Sequence, residues 1–127
     1  MDEIESARIF IAGAREQLAL AKGELGGAEE KKPYSQAFHK GGFNIEMARY
    51  ALEEARRNGS SCQVGELELE VDALEKEMKG VMGRFCIVQK PIPEEGVTFK
   101  HSKSGNNVGK DSREYAVLAA QYRWGLI

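Results

Sequence analysis

The sequence is poor in the residues that most directly announce a function. It holds two cysteines, Cys62 and Cys86, in 127 residues. That is too few for a disulfide scaffold, and both are expected to be free thiols. Its two histidines, His39 and His101, form no H-x3-H, H-E-x-x-H or E-x-x-H pattern, so the familiar zinc and di-iron motifs are excluded and no cofactor or metal is implied. No apolar run approaches the roughly 18–20 residues of a membrane-spanning helix. The start, Met1-Asp2-Glu3, lacks the basic and apolar character of a signal peptide. The expectation is a cytoplasmic protein without membrane contact. With three prolines, at 33, 91 and 93, the chain has long stretches free of helix breakers.

A net charge of −2 exerts no global pull toward nucleic acid or anionic membrane. Residues 1–86 carry 12 basic and 16 acidic side chains, and residues 87–127 carry 6 and 4. At 42% apolar and 30% charged, the composition is that of a globular chain, and the length is that of one domain.

What the sequence does have is periodicity. Ile4, Ala7, Ile11, Ala14, Leu18, Ala21 and Leu25 recur at alternating steps of three and four. So do Tyr34, Phe38, Gly41, Ile45, Ala48, Leu52 and Ala55, and then Val64, Leu67, Val71, Leu74, Met78, Val81 and Phe85. Each series is a heptad seam of an amphipathic helix, as in a coiled coil. Short connections make sequential helices antiparallel, so residues 1–86 are expected to form an up-down-up three-helix bundle. The small residues on the first two seams predict close packing between those helices.

Punctuation agrees. Asp2 with Glu5, Ser60 with Gln63, and Asp111 with Glu114 have the spacing of capping boxes. Gly26-Gly27 and Asn58-Gly59 are stop signals. Pro33 suits a first helical turn, and Gly41-Gly42 is the point where the second helix is expected to kink or break. Gly80 and Gly83 weaken the end of the third. Residues 87–127 read as a linker and a C-terminal helix on the same domain. Pro91 and Pro93 interrupt helix there. Phe85–Val88 and Val97–Phe99 suggest a short β-hairpin, and residues 100–110 an exposed loop. The last helix spans about 112–123, with Tyr115, Leu118, Ala119 and Tyr122 as its docking face. The fold class is thus mainly α.

Ile11-x-x-Ala14-Arg15-x-x-Leu18-x-x-Ala21-Lys22 matches Ile45-x-x-Ala48-Arg49-x-x-Leu52-x-x-Ala55-Arg56 at a spacing of 34. The spacing and pattern resemble tetratricopeptide repeats, which would imply stacked helix pairs; two amphipathic helices meeting one packing demand would look the same. Around Phe38-His39-Lys40-Gly41-Gly42 the chain resembles histidine-phosphotransfer domains. The resemblance implies a helical bundle with His39 as an exposed phospho-acceptor, although Lys40 and Gly41 follow at +1 and +2 where the family has H-x-x-K-G. Gly105 to Ser112 is not a phosphate-binding loop, because three residues separate the glycines and Asp111 stands between Lys110 and Ser112.

Lys100, His101, Lys103, Lys110 and Arg113 form a basic cluster that would suit nucleic-acid phosphates. The carboxylates of Glu66, Glu68, Glu70, Asp72, Glu75 and Glu77 read as a solvated face, with Leu69 standing alone among them. Leu69, Trp124, Leu126 and Ile127 are the candidate apolar interaction surface. Together these features point first to a non-enzymatic interaction protein (an adaptor, assembly subunit or inhibitor) that self-associates or holds a protein partner through helix faces or its tail. Nucleic-acid binding through residues 100–113 and phosphotransfer at His39 are the alternatives.

Overall fold

The computed structural model describes residues 2–25, 35–59, 61–85, 87, 89–100 and 104–127. Four helices make it up: α1 (Glu3–Leu25), α2 (Gln36–Arg57), α3 (Ser61–Val81) and α4 (Arg113–Arg123), with a 3-10 turn at Met82–Arg84 after α3.

Helix ends follow local chemistry. Asp2 Oδ1 accepts the Glu5 backbone N–H at 2.7 Å, opening α1. Ser35 caps α2 by accepting the Phe38 N–H at 3.1 Å. That start is later than Pro33 suggests; Pro33 itself lies outside the described residues, as do Gly26, Gly27 and Ser60. Asn58 ends α2, and Gly59, at φ +87°, turns the chain where a side chain would be strained. The cap of α4 is Ser112 rather than Asp111: its hydroxyl accepts the Tyr115 N–H at 3.1 Å. Gly41-Gly42 does not break α2, which runs unbroken from Gln36 to Arg57. Both glycines are buried, and the packing they admit offsets a propensity penalty of roughly 1 kcal/mol each.

The bundle is up-down-up. Asn58, at the end of α2, donates to Glu3, at the start of α1, at 3.1 Å. Arg15 pairs with Glu70 and Lys22 with Glu77, both at a separation of 55 residues, so α3 runs parallel to α1. The seam positions from Ile4 to Ala21, from Phe38 to Ala55 and from Val64 to Phe85 are buried except Val81, which is half-buried. Leu18, Phe38, Leu52, Val64 and Val71 are among the fully buried side chains of this core, each contributing about 1.5–3 kcal/mol. The most extensive helix–helix contact is α1 on α2, as the alanines and Gly41 on those seams predict. The two segments matched at a spacing of 34 are therefore antiparallel neighbours facing each other, not equivalent helices of successive repeats.

α4 docks on α2. Its buried residue is Ala120, followed by the buried Trp124. The expected face of Tyr115, Leu118, Ala119 and Tyr122 is only half-buried. Its tyrosines turn instead toward the linker: Phe99 meets Tyr115 and Tyr122 edge-on, at ring centroids 5.5 and 6.4 Å apart. Of the expected β-hairpin, Cys86 and Val88 lie outside the described residues. Among the described residues there is no strand; Phe85 takes part in an isolated bridge, and Lys100 pairs with Asn107 in an antiparallel one. Val97 N–H goes to the Tyr115 hydroxyl and Lys90 N–H to the Arg123 carbonyl, while Val108 N–H goes to the Phe99 carbonyl at 2.7 Å, so the linker finds partners both on α4 and within itself.

Candidate functional site

The best-formed concavity lies where α2, α3 and the end of α4 meet, with a volume of about 290 Å³. Ile45 and Gly42 from α2, Met78 from α3, Met82 from the 3-10 turn and Trp124 make its apolar surface. Trp124 is the only tryptophan in the chain. It is placed by two features of α2. Gly42 presents bare backbone against the indole, and Glu46 accepts the indole Nε1–H at 3.0 Å. The second oxygen of Glu46 pairs with Arg123. One carboxylate thus fixes both the ring and the end of α4.

Charged groups rim the groove. Arg49 bonds Asp72 at 2.8 Å and also pairs with Glu75. Burial works against its charge, but those bonds and charges outweigh it and hold the guanidinium above its ordinary value. Lys79 is 4.0 Å from the other Glu75 oxygen, the loosest ion pair on the rim. On the next turn of α2, burial pushes the Tyr50 phenol up from its ordinary value, and a hydrogen bond to Glu54 pushes it further.

The acids of α3 are not simply solvated. Glu70 and Glu77 pair with Arg15 and Lys22 of α1, while Glu68, Asp72 and Glu75 pair with Arg56 and Arg49 of α2. A ladder of ion pairs thus flanks α3 on both sides. The signal was present in the matched segments, where each seam alanine is followed by a basic residue: Ala14-Arg15, Ala21-Lys22, Ala48-Arg49 and Ala55-Arg56.

The residues singled out by sequence are scattered. His39 is 0% exposed, not a surface group. Its Nδ1 lies 2.7 Å from the Ser35 carbonyl, which can only accept, so Nδ1 carries the proton. Its ring lies edge-on to Phe38 and Trp124. A buried imidazole of this kind supports α2 and cannot meet a phosphodonor without the core opening. The described members of the basic cluster each have partners within the chain. Arg113 donates to Ser6 of α1 at 2.9 Å, Lys110 donates to the Glu95 carbonyl at 2.8 Å, and Lys100 sits at the bridge. His101 and Lys103 lie outside the described residues. Trp124, expected at the surface, is 8% exposed, and Leu126 is half-buried against the core. Leu69 is 70% exposed and Ile127 is also exposed. Cys62 is exposed, and Cys86 lies outside the described residues.

Sequence reasoning missed the outward face of α1, where Ile9 and Leu20 are 57% and 53% exposed. They are eleven residues apart, three helical turns, and so share a face. Exposed Ala12, Ala19 and Gly23, with the half-buried Gly13, lie around them. The signal was a second three-four ladder beside the buried one: Ile9, Ala12, Glu16, Ala19 and Gly23.

Among the described residues, no group of three or more His, Cys, Asp or Glu side chains is placed to hold a metal ion, and no helix is long and apolar enough to cross a membrane. Comparison with protein-family models, with curated proteins and with solved structures finds no match.

Proposed function

We propose that this chain is a non-enzymatic interaction protein that assembles through the outward face of α1. The observation that carries the reading is the pair Ile9 and Leu20, large apolar side chains more than half exposed on one face with Ala12, Ala19 and Gly23 beside them and the Glu16 carboxylate between them. Two copies meeting on this face cover four such side chains. Each is already about half covered, so the gain is roughly 3–6 kcal/mol. Association costs about 4–15 kcal/mol in lost freedom. Close approach over Ala12, Ala19 and Gly23 adds dispersion contacts that favour the pair. The contact is therefore reversible and concentration-dependent rather than permanent.

Light scattering over a wide concentration range tests this. The native chain should shift from monomer toward dimer as concentration rises, and Ile9→Glu with Leu20→Glu should remain monomeric with an unchanged helical circular dichroism spectrum. A native chain that stays monomeric throughout would end the self-association reading. As for nucleic-acid binding through residues 100–113, Lys110 and Arg113 are already engaged, by the Glu95 carbonyl and the Ser6 hydroxyl.

A further inference from the structure

We propose that the polar pocket between α1, α2 and the end of α4 binds a neutral sugar, whose adjacent hydroxyls are held by a set of side-chain amides. This goes beyond assembly and uses side chains other than Ile9 and Leu20. Gln36, Lys40 and Asn44 stand at steps of four on α2, so they share one face. Gln17 of α1 and Gln121 of α4 close on them, around a pocket of about 340 Å³. Three of the chain's five glutamines thus meet at one place, and the space they enclose is in the range of small-molecule sites. Gly13 of α1 makes room for the fourth amide: a methyl there would lie 3.0 Å from Asn44 Nδ2. Gln17, Asn44 and Gln121 are half-buried, which narrows the conformations they sample before a guest arrives.

What these groups leave unmet narrows the class. Around α3, side chains facing each other across helices pair by charge, as Arg15 does with Glu70 and Arg49 with Asp72. Here, among the described residues, the side chains of Gln17, Gln36, Lys40, Asn44 and Gln121 have no hydrogen-bond or ion-pair partner in the chain, and no carboxylate side chain lines the pocket. Beyond Leu126, the Ile127 oxygen already accepts from Lys90 at 3.0 Å. A carboxamide presents donor N–H groups and an acceptor oxygen side by side. A guest answers both when it carries a donor and an acceptor on neighbouring atoms, as adjacent hydroxyls do. A carboxylate only accepts and an ammonium only donates, so each would leave part of every amide unanswered. An apolar guest would strip water from the amides and return nothing. Lys40 donates to a hydroxyl or ring oxygen. Phe43, edge-on to Phe10 with ring centroids 6.3 Å apart, and Leu126 complete the wall. They seat the C–H face of a sugar ring, to which an aromatic face offers its negative side.

The side-chain N–H signals of the four amides, followed by proton–nitrogen correlation NMR, report on the pocket directly. The native protein is titrated with methyl glucoside, methyl galactoside and methyl mannoside. Tetrahydropyran, the same ring without hydroxyls, and N-acetylglycinamide, a peptide-like donor and acceptor, are the controls. At least one glycoside should shift these signals saturably in the millimolar range, and neither control should. Gln36→Ala with Gln121→Ala, checked for an unchanged helical circular dichroism spectrum, should weaken that glycoside about tenfold. Ile9→Glu should bind the glycoside as the native chain does, so the pocket and the assembly face succeed or fail separately. Absence of saturable shifts with all three glycosides, equal shifts with either control, or native-like binding in the double variant would overturn the proposal.

Discussion

A methyl group at position 42 would lie 2.5 Å from the Trp124 ring, closer than carbon atoms tolerate. Gly42→Ala therefore has to displace the indole, although alanine is the better helix former. The expected result is a loss of about 1–3 kcal/mol from overpacking, with a red-shifted tryptophan emission as the ring moves toward water. A gain in stability with unshifted emission would mean the ring is not seated on this glycine. Tyr50 sets an alkaline dependence. Its folded pKa is raised by burial, then by Glu54, so the folded state holds the phenolic proton more tightly than the unfolded state does. The resulting stabilisation is complete below the unfolded value of about 10 and is lost as pH rises through the higher folded value. Denaturant titrations at pH 9 and pH 11 should show a smaller difference in Tyr50→Phe than in the native chain.

The elements were legible in the sequence wherever a helix has one apolar face. Apart from Ser6, the buried residues of α1 and α3 lie on their seams, because each of these helices mainly faces the centre of the bundle. α2 was read only in part. It is covered on two sides, and His39, Gly42, Met47 and Ala51 are buried in addition to the seam. A second stripe at Phe43, Met47 and Ala51 was there to be seen, but what packs beside it, Phe10 of α1 on Phe43 among others, is set by long-range packing. The groove was illegible for the same reason: its walls come from α2, α3 and Trp124, which no local spacing relates. At α4 the capping chemistry was legible to within one residue, since Asp111 and Ser112 are both good caps and only the geometry selects the serine. Ser112→Ala should destabilise α4 by about 1 kcal/mol. Amide hydrogen exchange should report it as faster exchange confined to α4 and its linker contacts, with α1 to α3 unaffected. Uniform acceleration would mean α4 is integral to the cooperative core.

At the scale of the whole molecule, the ion pairs organise the three long helices around α3. Each is surface-exposed and contributes only about 0.2–1 kcal/mol, so the ladder specifies register more than it supplies stability. Glu70→Lys with Glu77→Lys would oppose like charges to Arg15 and Lys22. The expected cost is roughly 1–3 kcal/mol in thermal or denaturant unfolding at low salt. Adding Arg15→Glu and Lys22→Glu should restore most of it. Failure of the fourfold exchange to recover stability would show that the α1–α3 pairing does not depend on these charges.

The run of alanines where α1 meets α2 has a mechanical consequence. Alanine has no rotamers to lose and no arm to swing, so the two backbones sit nearly wall to wall and have little slack to give. Across the bundle, Leu67, Leu74 and Met78 meet the same pair through longer, jointed side chains. The protein is thus stiff along one edge and compliant along the other, and thermal breathing concentrates on the side where α3 closes the bundle.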